Sequence, residues 1–501
     1  MKNLFLLILS ACIVITSCKY SESDVIVYQA PEGEELNTKF KVLVNGIDVP
    51  VYNARICTED QQGRLIAGVP AEADKYFDIT GFASFDMKKD PVKVTVSVNE
   101  HIYTAKILPT SFGVKSTIKD NTITFEVDKP QQLTVEVNGD HIRSLHLFAN
   151  PEETDIPDPN DPNVIYFGPG IHEITSVPVG DNQTVYIAGG AVVRGILSEE
   201  GQTGRRGASF VLRGKNITFR GRGIFDQGRI PRIRGRQTMS VTVDGFKLEG
   251  VVLCNSSTWT VSMRDCNNVH IDNLKLFGHR ANSDGIDINS SLDVLIENSF
   301  LRTWDDLIVV KTLRNSNQDA GRIHVRKCVL YNEFAQALSI GAELTRNVED
   351  VLFENCDIIG DHGFTWALRI YHTDAALIKN VRFENIRIEE TVGLASLWIN
   401  SAIWTTDDRR GHIEDVVFKN ITVNNSGRPL RSEFDFIGFD ADHAINNVLI
   451  DNVVINGRKV TQDDIVINPK SEAKLEDYLY NRSKTWEGVV MNEYVYNVTV
   501  K

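Results

Sequence analysis

The alternation of apolar and polar positions along the chain changes near residue 150. Before that point, short alternating runs are separated by turn residues, as in segments 39–46, 92–98 and 133–139. Such alternation is typical of strands with one buried face, and closely spaced turns favour antiparallel pairing. Residues 25–150 are therefore predicted to form a small antiparallel β-sandwich. The stretch 155–162, rich in Asp and Pro, follows it as a boundary.

A second pattern, apolar-x-apolar-x-Asn, recurs through the rest of the chain. Copies begin at residues 269, 294, 351, 381, 416 and 448, and a copy at 323 has Lys327 in the Asn position. Successive starts lie 25 to 35 residues apart. A period of this length, with strand alternation and no helical periodicity, indicates a solenoid of β-coils stacked about 4.8 Å apart. Residues 151–501 are therefore predicted to form a right-handed, single-stranded parallel β-helix, which makes the chain all-β.

The first residues have the pattern of an export signal. Lys2 precedes a short apolar run, residues 4–15, and the sequence Ile-Thr-Ser-Cys ends at Cys18. The run is too short to span a membrane, and its end resembles a bacterial lipobox. We therefore expect residues 1–17 to be removed, Cys18 to be lipidated, and residues 18–24 to serve as a tether. The protein would then be anchored to a bacterial membrane on the periplasmic or outer side; the alternative is an ordinary signal with an incidental cysteine.

Charge and cysteine content narrow the possible partners. The 501 residues carry a net charge of −14, from 67 acidic and 53 basic side chains, which argues against a nucleic-acid partner. Five cysteines lie beyond Cys18, an odd and sparse set without zinc-site spacing, so neither a disulfide framework nor a metal site is predicted. Cys328 and Cys356, each directly after the repeated Asn position, are expected to stack inside adjacent coils as thiols.

Three carboxylates are expected to converge on one face. Asp284 and Asp306 lie 22 residues apart in similar contexts, Asp-Gly-Ile-Asp-Ile and Asp-Leu-Ile-Val-Val, which is about one short coil. They should therefore lie side by side, with Asp305 beside them if the chain bends there. Carboxylates that close resist joint ionisation, so at least one pKa should rise, as acid–base cleavage of a glycosidic bond requires. A calcium site or a solvated acidic turn is the structural alternative, and Asp287 is expected to be structural.

These motifs resemble those of the polygalacturonase-type family 28 glycoside hydrolases and of the related dextranase family 49. The resemblance rests on Asn-Ser-Asp-Gly-Ile-Asp-Ile at 282–288 and Asp-Asp-Leu-Ile-Val-Val at 305–310, supported by segments 221–228, 255–259, 338–341 and 369–371. It implies an inverting hydrolase without a cofactor, in which Asp305 is the general acid and Asp284 with Asp306 positions the water.

Two departures from the polygalacturonase pattern bear on the substrate. Gln336 lies between two alanines where that family has Gly-His-Gly, and Tyr371 ends a motif that there reads Arg-Ile-Lys. The missing His and Lys serve galacturonate recognition in that family. The N-terminal sandwich and segments 161–170 and 184–193 are more similar to the dextranase family, which favours a neutral α-glucan or another unusual glycan.

The residues expected to contact the polysaccharide surround the three carboxylates. They are Arg369, Gln336, Trp304, Tyr371, Arg280 and Lys311. Trp304 is the first choice for stacking on a sugar ring, and Trp259, Trp366, Trp398 and Trp404 either stack on sugars or pack at coil corners. Six arginines between 220 and 236 either receive anionic groups of a substrate or pair with nearby acidic residues.

Two other classes of function remain open at this point. A polysaccharide lyase acting on a uronate-containing glycan would need a basic Lys or Arg, and Lys311 or Arg369 is available. A β-helix that binds a glycan without cleaving it would need no catalytic group.

Overall fold

A computed structural model describes residues 20–57, 77–197, 207–232, 236–363, 365–425, 430–468 and 486–501. Within these ranges the chain is built of strands and short 3-10 turns, and no helix there is long and apolar enough to cross a membrane. The predicted signal sequence and Cys18 lie outside the described residues. The end of the predicted tether, Glu22–Asp24, forms a 3-10 turn.

The described residues between 25 and 151 form a sandwich of two sheets. The first has the order β1-β5-β11-β10-β7 with β4 beside β5, and the second has the order β3-β2-β6-β9-β8. The strands are β1 (Val25–Ile26), β2 (Phe40–Val44), β3 (Ile47–Val49), β4 (Tyr52–Ile56), β5 (Asp78–Met87), β6 (Val92–Val98), β7 (Ala105–Leu108), β8 (Ser116–Lys119), β9 (Thr122–Val127), β10 (Gln131–Val137) and β11 (Asp140–Pro151). The pairing is antiparallel as predicted except between β5 and β11, which run parallel.

The remaining described strands join one continuous sheet that winds as a parallel β-helix, which confirms the predicted fold class. They are β12 (Val164–Phe167), β13 (Gly170–Ile174), β14 (Val177–Val179), β15 (Thr184–Ile187), β16 (Ala191–Gly195), β17 (Gly207–Gly221), β18 (Ile224–Asp226), β19 (Arg236–Glu249), β20 (Val252–Cys254), β21 (Val261–Arg264), β22 (Asn267–Asp272), β23 (Lys275–Gly278), β24 (Ile286–Asn289), β25 (Leu292–Glu297), β26 (Phe300–Thr303), β27 (Ile308–Thr312), β28 (Ala320–Arg326), β29 (Val329–Asn332), β30 (Leu338–Leu344), β31 (Val348–Glu354), β32 (Asp357–Asp361), β33 (Leu368–His372), β34 (Leu377–Glu384), β35 (Arg387–Ile388), β36 (Gly393–Ile399), β37 (His412–Val423), β38 (Ser432–Ile437), β39 (Ile445–Ile455), β40 (Arg458–Lys459), β41 (Ile465–Ile467), β42 (Trp486–Met491) and β43 (Val495–Val500).

Each full coil contributes one strand to each of three faces. The Asn-repeat face contains β22, β25, β28, β31 and β34, and the sandwich face contains β23, β26, β29 and β32. The third face, which we name the cleft face, contains β24, β27, β30, β33, β36 and β38.

The repeated Asn turns the chain from the Asn-repeat face to the sandwich face. Asn273, Asn298 and Asn355 have φ of 53°, 49° and 53°, and Lys327 at the same position has 54°. Asn tolerates this left-handed conformation better than most residues, because its short polar side chain can bond locally. The turn geometry therefore explains why Asn ends each repeat.

The inward side chains of the coils form one long apolar core. Cys328 and Cys356 lie in it on adjacent coils, and both are buried free thiols, as predicted. The sandwich covers the sandwich face through a second apolar cluster that includes Phe82, Phe148 and Phe300. This packing holds the sandwich beside the carboxyl-rich end of the cleft face, where Cys57 and Trp304 belong to one small buried apolar cluster.

Candidate active site

Asp284 and Asp306 occupy equivalent positions on neighbouring coils. Ile286 of β24 pairs with Ile308 of β27, and each Asp precedes its Ile by two residues. The carbonyl of Asp306 accepts the N–H of Gly285 at 2.8 Å, which continues the parallel ladder up to the two aspartates. The 22-residue spacing thus places both carboxyls on the cleft face.

Asp305 reaches the same place because residues 304–307 lie between strands β26 and β27. Its carboxylate accepts the N–H of Asn282 at 2.8 Å and the N–H of Asp306 at 3.1 Å. Its carbonyl accepts the amide of Asn332 at 2.9 Å, which fixes the bend. One carboxylate oxygen from each of Asp284, Asp305 and Asp306 lies within 4.8 Å of the others.

Lys311 is the cation that these carboxylates share. Its Nζ lies 3.0 Å from Asp284, 2.9 Å from Asp287 and 3.9 Å from Asp306. It also lies 4.4 Å from the centre of the Trp259 ring. Lys311 was expected to contact substrate; the structure instead buries its side chain and directs its ammonium at the aspartates.

The balance of charge in this cluster favours bound protons. Burial, and then the charge of Asp284, raises the pKa of Asp305 to about 7, although two backbone N–H groups and Lys311 act in the opposite direction. Burial also raises the pKa of Asp306, which Lys311 partly offsets. Burial would lower the pKa of Lys311, but Asp284 and Asp287 raise it well above its usual value. Asp305 and Asp306 therefore hold protons more readily than ordinary carboxyls do, beside a lysine that stays charged.

Gln336 and Arg369 extend the site along the cleft face. Gln336 lies one coil beyond Asp306 in the same column, because Ile308 pairs with Leu338. The amide nitrogen of Gln336 donates to Asp306, and its amide oxygen accepts from Nη1 of Arg369 at 2.7 Å, when the amide is oriented so that both of its atoms have partners. The guanidinium carbon of Arg369 lies 3.9 Å from the centre of the Tyr371 ring. The structure thus brings these three predicted residues together beside Asp306.

Arg280 and Trp304, also predicted to contact substrate, are mostly buried. Arg280 donates to the carbonyls of Asn255 and Ser256 at 2.8 and 3.0 Å, which braces the turn before the cleft. Trp304 is 7 % exposed and stacks face to face on Phe334, with ring centres 3.9 Å apart. One face of the Trp304 ring is therefore already covered by protein.

Asp435 is a site residue that the motifs did not reveal. It lies two coils beyond Arg369 in the same column, through Ser396. Burial raises the pKa of Asp435 to about 7, and Arg369 acts to lower it. The available signal was the sequence Phe-Asp-Phe at 434–436, where an Asp lies between two core residues as Arg369 does.

The described arginines between 220 and 236 are engaged by the protein itself. Arg220 pairs with Asp155 at 2.5 Å, Arg222 with Asp86 at 2.9 Å, and Arg229 with Glu173. Arg232 donates to the carbonyl of Ala281 at 2.7 Å, and Arg236 donates to that of Thr175. These contacts favour the alternative in which the segment pairs within the protein; Arg234 lies outside the described residues.

The three aspartates are also close enough together to hold a cation. Ca²⁺ takes six to eight oxygen ligands, however, and Mg²⁺ requires near-octahedral geometry. The ammonium of Lys311 already donates to Asp284 and Asp287. The arrangement therefore resembles a proton-transfer site more than a metal site.

Comparison with known proteins agrees with this geometry. Residues 236–474 match the family described as Glycosyl hydrolases family 28. A probable endopolygalacturonase D of Neosartorya fischeri is 25 % identical over 183 residues, which are 35 % of this chain and 36 % of that protein. The match thus spans about a third of the length of this curated relative.

Similarity to solved structures extends over the whole chain. Dex49A from Penicillium minioluteum superposes with a TM-score of 0.65 at 13 % identity, covering 96 % of this chain and 99 % of that one. The family 28 exopolygalacturonase of Yersinia enterocolitica gives a TM-score of 0.49 at 15 % identity, with 95 % and 96 % covered. The likeness to Dex49A establishes a shared fold.

Proposed function

We propose that this protein is an inverting glycoside hydrolase that cleaves a glycosidic bond within a polysaccharide. The observation that carries the proposal is the convergence of Asp284, Asp305 and Asp306 within 4.8 Å, around the single ammonium of Lys311. Paired carboxyl groups in different protonation states are what glycoside hydrolysis requires. The family match over residues 236–474 supports the same chemistry.

Asp305 is the proposed general acid. With a pKa of about 7 it retains a proton in mildly acidic and neutral solution, and it is the least buried of the three aspartates. It donates that proton to the glycosidic oxygen as the bond from this oxygen to the anomeric carbon breaks.

Asp284 and Asp306 are proposed to hold and deprotonate the attacking water. The ammonium of Lys311 faces both side chains, and the amide of Gln336 donates to Asp306. The water oxygen forms the new bond to the anomeric carbon, and its proton passes to this pair. Because the three carboxyls then serve as one acid and a water-holding pair, none is left as a dedicated nucleophile.

The spacing of the aspartates makes stereochemistry a direct test of these roles. Their oxygens lie closer than the separation of about 6.5–9.5 Å that is typical of inverting enzymes. Inversion is therefore proposed from the number of carboxyls and the family resemblance. Proton NMR of the first product should show the inverted anomer, and a retained anomer or a sugar trapped covalently on an Asp would contradict the assignment.

The charges along the cleft face favour a neutral sugar at the point of cleavage. Asp284, Asp287 and Asp306 surround Lys311, and Asp435 and Gln336 face Arg369. Both basic side chains there, Lys311 and Arg369, are thus already engaged by acidic or amide groups of the protein, which leaves them less able to bind an anionic sugar unit. We therefore propose a neutral glycan, such as an α-glucan, as the cleaved segment.

A panel of neutral and uronate-containing polysaccharides tests the function against its alternatives. A hydrolase produces new reducing ends without ultraviolet absorbance, and a chelator should leave the rate unchanged. Unsaturated ends would indicate a lyase, which the high pKa of Lys311 disfavours because the lysine stays protonated. Binding without any product would indicate an adhesive protein and would refute the proposal.

We also propose that a lipid on Cys18 anchors the protein to a bacterial membrane, where it would act on the polysaccharide. The anchor is supported by the lipobox-like sequence that ends at Cys18. The protein should label with a palmitate analogue and fractionate with membranes, whereas Cys18→Ala should do neither. Equal labelling of both proteins would contradict an anchor at this residue.

A further inference from the structure

Two exposed aromatic side chains lie in loops that follow strands of the cleft face. Trp404 follows β36 and Phe439 follows β38, and each is 40 % exposed. Both loops leave the same end of neighbouring strands, because β36 pairs with β38. Large aromatic surfaces are costly to leave in water, so exposed aromatic side chains in neighbouring loops of the cleft face point to a ligand.

Trp404 is joined to the proposed catalytic aspartates by direct contacts. Its ring packs edge to face against Tyr371, with ring centres 5.9 Å apart. Tyr371 lies under the guanidinium of Arg369, and Arg369 contacts Gln336 beside Asp306. These contacts connect Trp404 to the site through packed, mostly buried side chains.

The loop that carries Trp404 is fixed by a buried carboxylate. Asp374 accepts both the N–H and the hydroxyl of Thr406, at 2.8 and 2.7 Å. Its other oxygen accepts the N–H of Leu344 at 3.0 Å, which ties the loop to β30. The N–H of Ala402 donates to Thr405 at 2.7 Å. A ring held in this way binds a ligand without the entropy loss of ordering a mobile loop.

We propose that Trp404, assisted by Phe439 in the loop after the neighbouring strand, forms a distal sugar-binding subsite for the polysaccharide chain. This rests on the proposed function, because the occupant is the same chain that reaches the aspartates. The flat aromatic faces suit the apolar faces of pyranose rings, and neither side chain selects for charge. The subsite thus fits a neutral glycan.

The distance of Trp404 from the aspartates determines which lengths of substrate can reach the subsite. Trp404 lies one coil beyond Tyr371, which is two coils beyond Asp306. Three coils of about 4.8 Å place it about 14 Å from the aspartates along the helix axis. A short oligosaccharide bound across the aspartates ends before it, whereas a longer chain that extends toward the C-terminal coils reaches it. The subsite therefore confers a preference for long chains.

Trp404→Ala tests the subsite through the dependence of rate on chain length. The substrates are a graded series of oligosaccharides from whichever polysaccharide of the panel the wild-type protein cleaves. The ratio of kcat/KM for the longest to the shortest substrate should fall about five- to tenfold, as expected for losing a binding tryptophan. Tyr496→Ala is the matched control, since Tyr496 is 41 % exposed but lies on β43, which continues the Asn-repeat face. It should keep the wild-type ratio.

A binding measurement keeps the subsite testable even without turnover. In affinity gels containing each polysaccharide of the panel, Trp404→Ala should migrate faster than the wild type, and Tyr496→Ala should not. If the wild type cleaves nothing but the variant still loses retardation, the proposed function fails and the subsite stands. An unchanged length ratio, or unchanged retardation of the variant, would overturn the subsite.

Discussion

Two buried groups of charged side chains lie next to each other in this protein, and they differ in charge balance. Beneath the sandwich, Arg302 donates to Glu333 at 2.7 and 2.6 Å, and both side chains are almost fully buried. Around Lys311, one ammonium faces Asp284, Asp287 and Asp306. Arg302 and Asp305 are three residues apart, so one short segment serves both groups.

The pKa values of the carboxyls in the two groups follow the balance between acidic and basic side chains. Burial would raise the pKa of Glu333, but Arg302 lowers it below its usual value. Burial raises the pKa of Asp305 to about 7, and the neighbouring Asp284 adds to the rise. A matched pair thus keeps its carboxylate charged and contributes to structure. An excess of carboxylates retains a proton that can be transferred, which is what a general acid needs.

Removing one charge from the buried Arg302–Glu333 pair should lower the stability of the protein more than removing one charge from an exposed ion pair. Glu333→Gln leaves Arg302 buried without its counter-ion, and removing one partner of a buried pair costs about 3–5 kcal/mol. The free energy of unfolding, measured by urea denaturation, should fall by that amount. Glu354→Gln is the control, because Glu354 pairs with His324 where both are about a third exposed. That variant should lose less than about 1 kcal/mol, and equal losses would contradict the comparison.

Removing the ammonium of Lys311 from among the aspartates should change the pH dependence of kcat. Lys311→Met removes the cation that lowers the pKa of Asp305 and Asp306, so both values should rise further. The acidic limb of the kcat profile should move to higher pH, because Asp306 then stays protonated to a higher pH. Near pH 6, kcat should fall about tenfold. Lys311→Arg should restore much of the rate, and an unshifted profile in Lys311→Met would contradict the role given to the lysine.

The same imbalance has a small effect on stability. An aspartate whose pKa is about 7 in the folded protein and about 3.9 when unfolded costs stability as pH rises between these values. Asp305→Asn removes that cost, so the Tm should rise by about 2–4 °C at pH 8 and stay unchanged at pH 4.

Asp293→Asn provides the control for this stability effect. Asp293 lies at an exposed turn, where its hydrogen bond to Arg322 lowers its pKa. This variant should show no gain at pH 8. A gain of the same size in both variants would show that the effect does not come from the cluster.

The stacking of the coils, and with it the pairing of two of the aspartates, could be predicted from the sequence. The repeat period sets which residues share a coil position, so the 22-residue offset was enough to pair Asp284 with Asp306. The stacking of Cys328 on Cys356 followed from the same argument. Both depend only on matching the local sequence of one coil to that of the next, across offsets of 22 and 28 residues.

The features that could not be predicted depend on the direction of side chains and on contacts between residues that are far apart in the sequence. Alternation shows that the side chain of Lys311 faces outward but not that its ammonium bonds Asp284 and Asp287. The bend at residues 304–307 depends on Asn332 from the next coil. Asp435 joins Arg369 across two coils that differ in length, 27 residues from Arg369 to Ser396 and 39 from Ser396 to Asp435. Spacing alone does not align such positions.

The rate of Asp305→Asn tests the central claim most directly. Measured on the polysaccharide that the wild type cleaves best, kcat should fall at least about 10²-fold between pH 5 and pH 8, because the proton donor is lost. Asp293→Asn should keep the wild-type rate, and circular dichroism should show both variants folded. A folded Asp305→Asn protein with kcat within a few-fold of the wild type would contradict the claim that the unbalanced aspartates supply the acid.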